Sequence, residues 1–560
     1  MLNYKRYKRN PVLNFPERTW PDKQIEKAPI WCSVDLRDGN QALIEPMNVD
    51  EKMEMFDLLL RLGFKEIEIG FPAASQIEYD FLRKLVAENK IPDDVKVQVL
   101  TQCRQELVDR TFEAIQGIKN VVVHIYNSTS TLQRDVVFNK SQDEIIDIAI
   151  AGTRMVKEHL ADFDGNVQLE YSPESFTGTE VDFALRICTA VQKEWDHATD
   201  APIIFNLPAT VEMNTPNVYA DQIEWMSTHF EDRDNIILSV HPHNDRGTGV
   251  AITELALLAG ADRVEGTLLG NGERIGNVDI LTVAYNMFSQ GINPELEIED
   301  VKEIVEIYER CCKMHVDMRH PYAGKLVFTA FSGSHQDAIN KGVHAMQERG
   351  NEYWEVPYLP IDPADIGRKY EPVVRINSQS GKGGVAFVMD TVYGYKLPKK
   401  MQREFADVIQ YISEQEGGEV EPQKMMEAFK KEYFENKMPF ELVFVDIDDN
   451  MANDETHVSL DFKYNGKAIH SEADGNGPID AVKLAVKQCV PQVDFSVLDY
   501  SEHSLGKGSG AKAAAYIEMR DNRSGNITFG VGVSSNITRA SIRGMFSAMN
   551  RLAKKAKDYV

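Results

Sequence analysis

The sequence from about residue 28 to residue 290 alternates short, β-rich apolar runs with segments of helical periodicity, and this alternation restricts the fold more than any other feature. Two of the intervening segments begin with helix N-terminal signals, Asn48 followed by Glu51 and Ser141 followed by Glu144. Eight buried strands, each followed by a helix, predict an α/β fold of the (β/α)8 TIM-barrel type, with the functional site on the loops after the strands. An open, doubly wound sheet is the alternative, but no GxGxxG motif follows the first run. The eight runs span residues 28–36, 65–71, 95–100, 121–126, 165–172, 202–207, 235–241 and 262–270.

Length and charge exclude several classes of protein. At 560 residues the chain is too long for one ordinary domain, and its 43% hydrophobic and 26% charged residues are typical of a globular protein with a large core. The formal charge of −26 argues against nucleic acid or an anionic membrane as a partner, so an anionic substrate would need a basic or metal-containing pocket. No apolar run reaches membrane-spanning length, the basic N-terminus lacks the apolar core of a secretory signal, and the six cysteines show no CxxC spacing. We therefore expect a protein of the reducing cytoplasm.

The pattern changes after the eighth run, which predicts further domains. Residues 301–436 contain helical segments separated by polar, proline-containing loops and are typical of linker subdomains. In residues 437–560, two similar stretches of strands each lead through a glycine-containing turn into an amphipathic helix, which indicates a duplicated ββα-type α+β domain. The predicted organisation is completed by an N-terminal arm (1–27) and by the barrel domain (28–300).

Polar and titratable residues follow most of the barrel strands at their carboxyl ends. The first run leads into Arg37 and Asp38, and the seventh ends at His241 and His243. Because the carboxyl ends of the strands form one mouth of a barrel, we expect these side chains to converge there. Further polar residues in this position are His124, Glu170, Ser172, Glu174, Asn206, Thr210 and Asn277.

The pair of histidines at 241 and 243 predicts a metal site. Residues two apart on an extended strand point to the same side, so both imidazoles can share one ion. The eighth strand closes the barrel against the first, which brings Asp38 within reach, and Asn277 can add an amide oxygen. Two nitrogens and one or two oxygens, with positions left open, are typical of a catalytic metal site. The alternative is that the histidines only form hydrogen bonds within a loop.

Arg37 and Glu174 each allow two interpretations. An arginine beside a metal can neutralise an enolate or oxyanion, because its charge is permanent and its donors form a rigid fork. It can also form a simple salt bridge at the rim. Glu174 can act as an acid, a base or a positioning group opposite the metal, or it can be a solvated loop residue.

Eight segments together resemble the 2-isopropylmalate synthase family in its longer bacterial and fungal form, and the resemblance extends over most of the chain. Each motif alone is less specific, because homocitrate, citramalate and related enzymes share the arginine–aspartate turn and the HxH strand. The segments are DLRDGNQALIEPM (35–47), EYSPESFTGTE (170–180), NLPATVE (206–212), HPHNDRGTGVA (241–251), GNGERIGNVDI (270–280), FSGSHQDAI (331–339), NSQSGKGGVAF (377–387) and GVGVSSNITRAS (530–541).

The resemblance implies an activity, its cofactors and its regulation. The reaction would be a metal-dependent Claisen condensation of acetyl-CoA with 3-methyl-2-oxobutanoate, followed by thioester hydrolysis to 2-isopropylmalate and CoA, the first committed step of leucine biosynthesis. Mg²⁺ is the implied ion, with Mn²⁺ or Zn²⁺ as alternatives. The resemblance also implies a homodimer whose C-terminal domain binds leucine as an allosteric inhibitor, with DGNGPIDA (474–481) or GVGVSSN (530–536) as the turn that holds the carboxylate.

Individual residues receive roles by the same resemblance. The metal ligands would be Asp38, His241 and His243, and Arg37 would stabilise the enolate or oxyanion. The candidates for proton transfer are Glu174, His335 and Tyr370.

The substrates receive contact residues in the same way. The oxo acid would be contacted by His124, Ser172 and Thr210, with Leu100, Asn206 and Pro208 around its isopropyl group. The SGKGG segment (380–384) offers backbone amides and Lys382 to a CoA phosphate, or it is a flexible loop without a ligand.

Other functions remain open on the sequence. A carbon–carbon lyase of the same superfamily would resemble 3-hydroxy-3-methylglutaryl-CoA lyase, which carries a reactive cysteine in a glycine-rich loop, and none of the six cysteines lies in such a loop. A catalytically silent, ligand-sensing barrel would not need the acid, the arginine and the HxH pair together. Citramalate synthase and homocitrate synthase stay possible, because a sequence alone does not place the side chains that select the oxo acid.

Overall fold

The chain folds into two compact units in the computed structural model, which describes residues 6, 10–330, 332–350, 352–370, 381–416, 420–450, 455–506 and 510–555. One unit comprises Met1–Phe328 with Ile361–Lys369, and the other comprises Thr329–Pro360 with Tyr370–Val560. None of the helices in the described ranges combines the length and the hydropathy that a bilayer-spanning segment requires.

Within its described residues, the first unit contains a closed barrel of eight parallel strands, which confirms the predicted barrel. Strand β8 pairs with β1, with Trp31 opposite Val264 and Ser33 opposite Gly266, and this pairing closes the barrel. The strands are β1 (Ile30–Ser33), β2 (Glu66–Gly70), β3 (Lys96–Gln102), β4 (Asn120–Ser128), β5 (Asn166–Glu174), β6 (Ile203–Ala209), β7 (Ile236–Pro242) and β8 (Arg263–Gly266).

A helix follows each strand on the outside of the barrel. The predicted capping boxes are present at Asn48 and Glu51, and at Ser141 and Glu144, where each side chain accepts a hydrogen bond from the partner's backbone amide. The helices are α1 (Val49–Arg61), α2 (Gln76–Ala87), α3 (Gln105–Ile115), α4 (Gln142–His159), α5 (Val181–Trp195), α6 (Pro216–His229), α7 (Gly249–Leu258), α8 (Ile280–Ser289) and α9 (Val301–Cys312).

Two peripheral segments pack onto the barrel. Trp20 of the N-terminal arm is buried, and its indole N–H donates to Asp221 of α6 over 2.8 Å. Helix α9, in a region that the sequence pattern assigned to the linker, lies in the first unit, where Arg310 pairs with Glu54 of α1.

The interior of the barrel is polar. On β2 the residues Glu66 and Glu68 are buried and alternate with buried Ile67 and Ile69. Because successive side chains of a strand point to opposite faces, the two carboxylates share one face. Gln98 donates to Glu68 and Arg263 donates to Glu66, and both donors also bond to Glu265. All of these side chains are buried, so an ionic network fills the space below the mouth.

The second unit combines helices with two antiparallel sheets. In its described part, β11–β10–β9 and β12–β13–β14 each form a three-stranded sheet that is followed by a helix. Each half therefore has three strands where the sequence pattern suggested two. In the first half, the Asn465–Gly466 turn, with both φ values positive, separates one apparent strand into β10 and β11. The elements are α10 (Gly333–Arg349), α11 (Gly381–Thr391), α12 (Lys399–Glu416), α13 (Pro422–Tyr433), β9 (Phe440–Asn450), β10 (Glu455–Tyr464), β11 (Lys467–Gly475), α14 (Pro478–Cys489), β12 (Phe495–Leu505), β13 (Lys512–Asp521), β14 (Ile527–Ser534) and α15 (Ile537–Lys555).

Close packing of α15 on β14 depends on glycine. A Cβ atom at Gly532 would lie 1.9 Å from the carbonyl oxygen of Ala540, and one at Gly530 would lie 2.1 Å from that of Gly544. Neither position accepts a side chain without displacing the helix.

Candidate active site at the barrel mouth

A buried turn after β1 carries the first two candidate residues. Residues Asp35–Gly39 form one turn of π-helix, which places Arg37 and Asp38 side by side. The Asp35 carboxylate accepts hydrogen bonds from the Leu268 amide and the Ser33 hydroxyl, which ties the turn to the end of β8. The fully buried Lys52 donates to the Leu36 carbonyl oxygen over 2.9 Å, so the turn is held from both sides.

Four potential metal ligands converge beside this turn. His241 Nε2 lies 2.8 Å from Asn277 Oδ1 and 3.3 Å from Asp38 Oδ2. His243 Nε2 lies 3.6 Å from the same Asp38 oxygen, and all four side chains are buried. The geometry brings the predicted metal-ligating residues together at one point.

The chemistry of these atoms fits a divalent cation. The Asp38 and Asn277 oxygens accept but do not donate hydrogen bonds, and both imidazoles turn a ring nitrogen to the same place. Such a convergence of lone pairs is unfavourable unless a proton or a metal ion lies between them. Two nitrogens and two oxygens are a common ligand set for divalent transition metals, and the carboxylate also suits Mg²⁺.

Without a metal ion, a proton on His241 offsets the negative charge of the adjacent carboxylates. Burial lowers the pKa of His241, but hydrogen bonds to Asp38 and Glu265 outweigh it and raise the value to about 10. Burial and the neighbouring His241 charge lower the pKa of His243 to about 4. Burial raises the pKa of Asp38, but Arg37 and the histidines bring it below its usual range. A bound cation would replace the proton at His241.

Arg37 is held by two carboxylates. Its Nε donates to Glu68 Oε2 over 2.6 Å and its Nη1 to Asp38 Oδ1 over 2.8 Å. Its side chain is only 11% exposed. Burial lowers the pKa of Arg37, but the two adjacent carboxylates raise it above its usual range. The guanidinium is therefore a permanent, oriented charge beside the metal-type cluster.

Residues proposed to contact the oxo acid lie on neighbouring strands. His124 Nε2 lies 2.7 Å from Ser172 Oγ, to which Asn206 Nδ2 donates over 3.1 Å. His124 Nδ1 lies 3.1 Å from Glu68 Oε1, so this group also contacts the carboxylate that holds Arg37.

The remaining predicted residues of the barrel lie near the strand ends. Leu100 is half-buried on β3, opposite His124, and Pro208 is buried on β6, opposite His241. The Glu174 carboxylate accepts a hydrogen bond from the Ser128 hydroxyl. Thr210 follows β6 and accepts a hydrogen bond from the Ser175 amide.

Other predicted residues belong to the second unit. His335 is exposed on α10 and its ring stacks on Tyr358, with centroids 4.2 Å apart. Tyr370 is half-buried, its hydroxyl has no hydrogen-bond partner among the described residues, and burial raises its pKa. Lys382 lies in the first turn of α11, and its side chain is outside the described residues, as is Ser380 of the SGKGG segment.

The sequence analysis missed the ionic network below the ligands. Glu68, Gln98, Arg263 and Glu265 are all fully or almost fully buried on barrel strands. The available signal was the presence of charged side chains in runs predicted to be buried on both faces. Such groups must pair with one another inside the barrel.

One part of this network resembles a second metal site but already contains a cation. His124, Glu170 and Glu265 have ligand atoms within 4.8 Å of one another. Arg263 Nη1, however, lies 2.7 Å from Glu265 Oε1 and 3.4 Å from Glu170 Oε2. Burial and the nearby Glu265 raise the pKa of Glu170 well above its usual range. Arg263 therefore already supplies a positive charge inside this cluster.

Comparison with known proteins agrees with this architecture. Three family profiles match the chain: HMGL-like over residues 28–307, alpha-isopropylmalate synthase, post-catalytic domain-like over 325–390, and LeuA allosteric (dimerisation) domain over 419–553. A 2-isopropylmalate synthase from Clostridium acetobutylicum is 53% identical over 557 residues, covering 98% of this chain and 99% of that protein. Those from Agrobacterium fabrum and Acetoanaerobium sticklandii are 53% and 51% identical, covering 99% and 100% of this chain and 99% and 98% of the relatives. The chain therefore belongs to the 2-isopropylmalate synthase family.

Proposed function

We propose that this chain condenses acetyl-CoA with 3-methyl-2-oxobutanoate and hydrolyses the resulting thioester, giving 2-isopropylmalate and CoA. The observation that carries the proposal is the convergence of four potential metal ligands, His241, His243, Asp38 and Asn277, beside the buried Arg37. The chain is also about half identical, over its full length, to 2-isopropylmalate synthases. Barrel residues 28–300 would catalyse the reaction, residues 301–436 would link the barrel to the C-terminal domain, and residues 437–560 would regulate the activity.

The proposed cofactor is one divalent ion held by Asp38, His241, His243 and Asn277. A bound ion would polarise the ketone of the oxo acid as a Lewis acid. Mg²⁺ is the first candidate, with Mn²⁺ and Zn²⁺ as alternatives. The two imidazoles favour Mn²⁺ and Zn²⁺ in intrinsic affinity, so a competition titration distinguishes the three ions.

The chain's own residues would supply the proton transfers and the charge stabilisation. A base removes one proton from the acetyl methyl group, and the resulting carbon nucleophile forms the new bond to the ketone carbon, whose oxygen gains a proton. Water then attacks the thioester and CoA leaves as the thiol. Arg37 is positioned beside the ligand cluster to stabilise the developing oxygen charge. Glu174, His335 and Tyr370 are the proposed proton-transfer residues, and single substitutions separate their roles through the pH dependence of kcat.

The pocket for the oxo acid is proposed at the strand ends. His124, Ser172 and Thr210 offer polar contacts, and Leu100, Asn206 and Pro208 would border the isopropyl group. For acetyl-CoA, the backbone amides at the start of α11 and the charge of Lys382 are proposed to bind a phosphate.

Leucine is the proposed regulator, bound in the C-terminal domain. The match to a LeuA allosteric (dimerisation) domain supports this role and a homodimer. Helix α14 begins at Pro478 in the turn DGNGPIDA, and its N-cap Gly477 makes no side-chain cap, so backbone amides there can hold a carboxylate. Cytoplasmic location, without membrane or nucleic acid partners, completes the proposal.

A substitution in this turn tests the leucine site. A Cβ at Gly477 meets nothing within 4 Å, so Gly477→Asp adds a carboxylate that competes for the same amides without disturbing the packing. We expect leucine inhibition to weaken at least about tenfold in Gly477→Asp and to persist in Gly477→Ala, in line with coupling of about 1–3 kcal/mol. Gly532→Asp, which the sequence suggests for the same purpose, would instead displace α15. Equal inhibition of the two Gly477 variants by leucine would exclude this turn as the leucine site.

The oxo-acid specificity is tested by release of free thiol from acetyl-CoA. The full-length enzyme is assayed with 3-methyl-2-oxobutanoate, pyruvate and 2-oxoglutarate in parallel, with and without chelator. We expect 3-methyl-2-oxobutanoate to give the highest kcat/KM, and the chelator to abolish turnover. A preference for pyruvate or 2-oxoglutarate would make the chain a citramalate or homocitrate synthase.

A further inference from the structure

Glu265 on β8 is a buried carboxylate whose four hydrogen bonds occupy both of its oxygens. Oε2 faces His241 Nδ1 at 2.7 Å and accepts from Asn206 Nδ2 over 3.0 Å. Oε1 accepts from Arg263 Nη1 over 2.7 Å and from Gln98 Nε2 over 2.9 Å. The side chain is fully buried, so neither solvent nor rotation relaxes this arrangement.

The contact with His241 determines which ring nitrogen carries a proton. A carboxylate accepts hydrogen bonds and does not donate them, so His241 Nδ1 must be the donor. Nε2, on the side of Asp38 and Asn277, is then the nitrogen that gives up its proton to a bound ion. His243 differs, because its buried Nδ1 has no hydrogen-bond partner among the described residues.

We propose that Glu265 is a positioning residue that fixes the tautomer and ring orientation of His241 and thereby sets the affinity of the mouth cluster for its divalent ion. This inference rests on the metal role in the proposed function. A carboxylate behind a ligating histidine increases the basicity of the ligand and restricts its rotation, and losing such a group typically weakens metal binding by about 10–100-fold.

A second buried carboxylate provides a matched comparison. Glu66 Oε2 accepts from Arg263 Nε over 2.6 Å, so it belongs to the same ionic network. Its other oxygen is paired with Lys96 rather than with a proposed metal ligand. If Glu265 served only to neutralise Arg263 inside the barrel, Glu265→Gln and Glu66→Gln would have the same consequences.

The test is calorimetric titration of metal-stripped, full-length protein with Mn²⁺. We expect the Kd of Glu265→Gln to rise about 10–100-fold and that of Glu66→Gln to change by less than about threefold. Circular dichroism and the thermal transition establish that both variants are folded. Equal affinities in the two variants, or an unchanged Kd in Glu265→Gln, would overturn the inference.

A measurement on the unsubstituted protein keeps the inference testable if a variant does not fold. In protein loaded with Co²⁺, the Nδ1 protons of ligating histidines give shifted proton resonances, and hydrogen bonding slows their exchange with water. We expect the resonance from His241 to exchange more slowly than the one from His243. Equal exchange rates for the two resonances would contradict the role of Glu265. If the wild-type protein binds neither Mn²⁺ nor Co²⁺, the proposed metal site itself fails, whereas binding with a null effect of Glu265→Gln refutes only the positioning role.

Discussion

Substitution of Arg37 by lysine tests whether the Arg37 guanidinium acts in catalysis or only forms a salt bridge. The arginine donates to Glu68 over 2.6 Å and to Asp38 over 2.8 Å, and it is 11% exposed. A lysine ammonium is a point donor that does not reproduce this fork, so at least one hydrogen bond to a buried carboxylate is lost. Such a bond contributes about 1.5–3 kcal/mol, which corresponds to about a 10–150-fold decrease in kcat if the guanidinium orientation is used in the transition state.

The assay is steady-state release of thiol at saturating Mg²⁺, with kcat and the KM of the oxo acid determined separately. We expect Arg37→Lys to lower kcat and to leave the KM of the oxo acid within about threefold, as for a group used mainly in the transition state. Arg233→Lys is the matched control, because Arg233 also binds an aspartate, Asp262 at 2.6 Å, but lies before β7, at the opposite end of the strands from the mouth. Equal kcat values for wild type and Arg37→Lys would reduce Arg37 to a salt bridge and refute the reasoning.

Three further predictions concern the ligands, a buried acid and the N-terminal arm. Asp38→Ala and His241→Ala should each abolish turnover and weaken Mn²⁺ binding at least tenfold, and a variant with full turnover would exclude that ligand. Burial raises the folded-state pKa of Asp35 to about 7, so its contribution to stability is greatest at low pH and is lost as the pH rises towards 7. The free energy of unfolding of wild type relative to Asp35→Asn should therefore fall from pH 5 to pH 7, at up to about 1.4 kcal/mol per pH unit, and then level off, and the difference in melting temperature should follow it. A constant difference across this range would contradict the raised pKa. Trp20→Ala removes a buried ring and one of the two side chains that donate to Asp221, the other being Arg18, so the thermal transition of the barrel unit should move down by the equivalent of about 3–5 kcal/mol. An unchanged transition would show that the arm does not stabilise the barrel.

The barrel could be predicted from the sequence because its strands are apolar runs of regular spacing. The observed β3 and β7, Lys96–Gln102 and Ile236–Pro242, begin within one residue of the predicted runs. Closure of β8 onto β1 also follows from the fold, and it accounts for the approach of Asp38 to His241. The convergence of the potential metal ligands could therefore be predicted from the sequence alone.

The ionic network could not be predicted from the sequence in this way, for a physical reason. Glu66 and Glu68 alternate with isoleucines on β2, a pattern that usually indicates a strand with one solvated face. In a closed barrel both faces are buried, so these carboxylates are stable only because Arg263, Lys96 and Arg37 lie across from them on other elements. Sequence periodicity reports which residues share a face and does not report such partners.

Packing constraints in the second unit were equally hidden. The glycines of GVGVSSN resemble a ligand-binding turn in sequence, whereas Gly530 and Gly532 allow α15 to approach β14. The linker helix α12 is joined to α15 by the ion pair of Glu404 with Arg551, which connects residues 147 positions apart. Long-range pairs of this kind have no local sequence signal.

A labelled carbon followed through the reaction tests both the metal dependence and the new carbon–carbon bond. Metal-stripped enzyme and the same sample reconstituted with Mg²⁺ or Mn²⁺ are incubated with acetyl-CoA labelled with ¹³C at the methyl carbon and with 3-methyl-2-oxobutanoate, and the products are analysed by NMR. We expect label in the methylene group of 2-isopropylmalate, with one CoA thiol released per product, in the reconstituted wild-type enzyme and not in the stripped enzyme or in Asp38→Ala. Formation of this product by the stripped enzyme, or its absence from the reconstituted enzyme, would contradict a metal-dependent condensation at the barrel mouth.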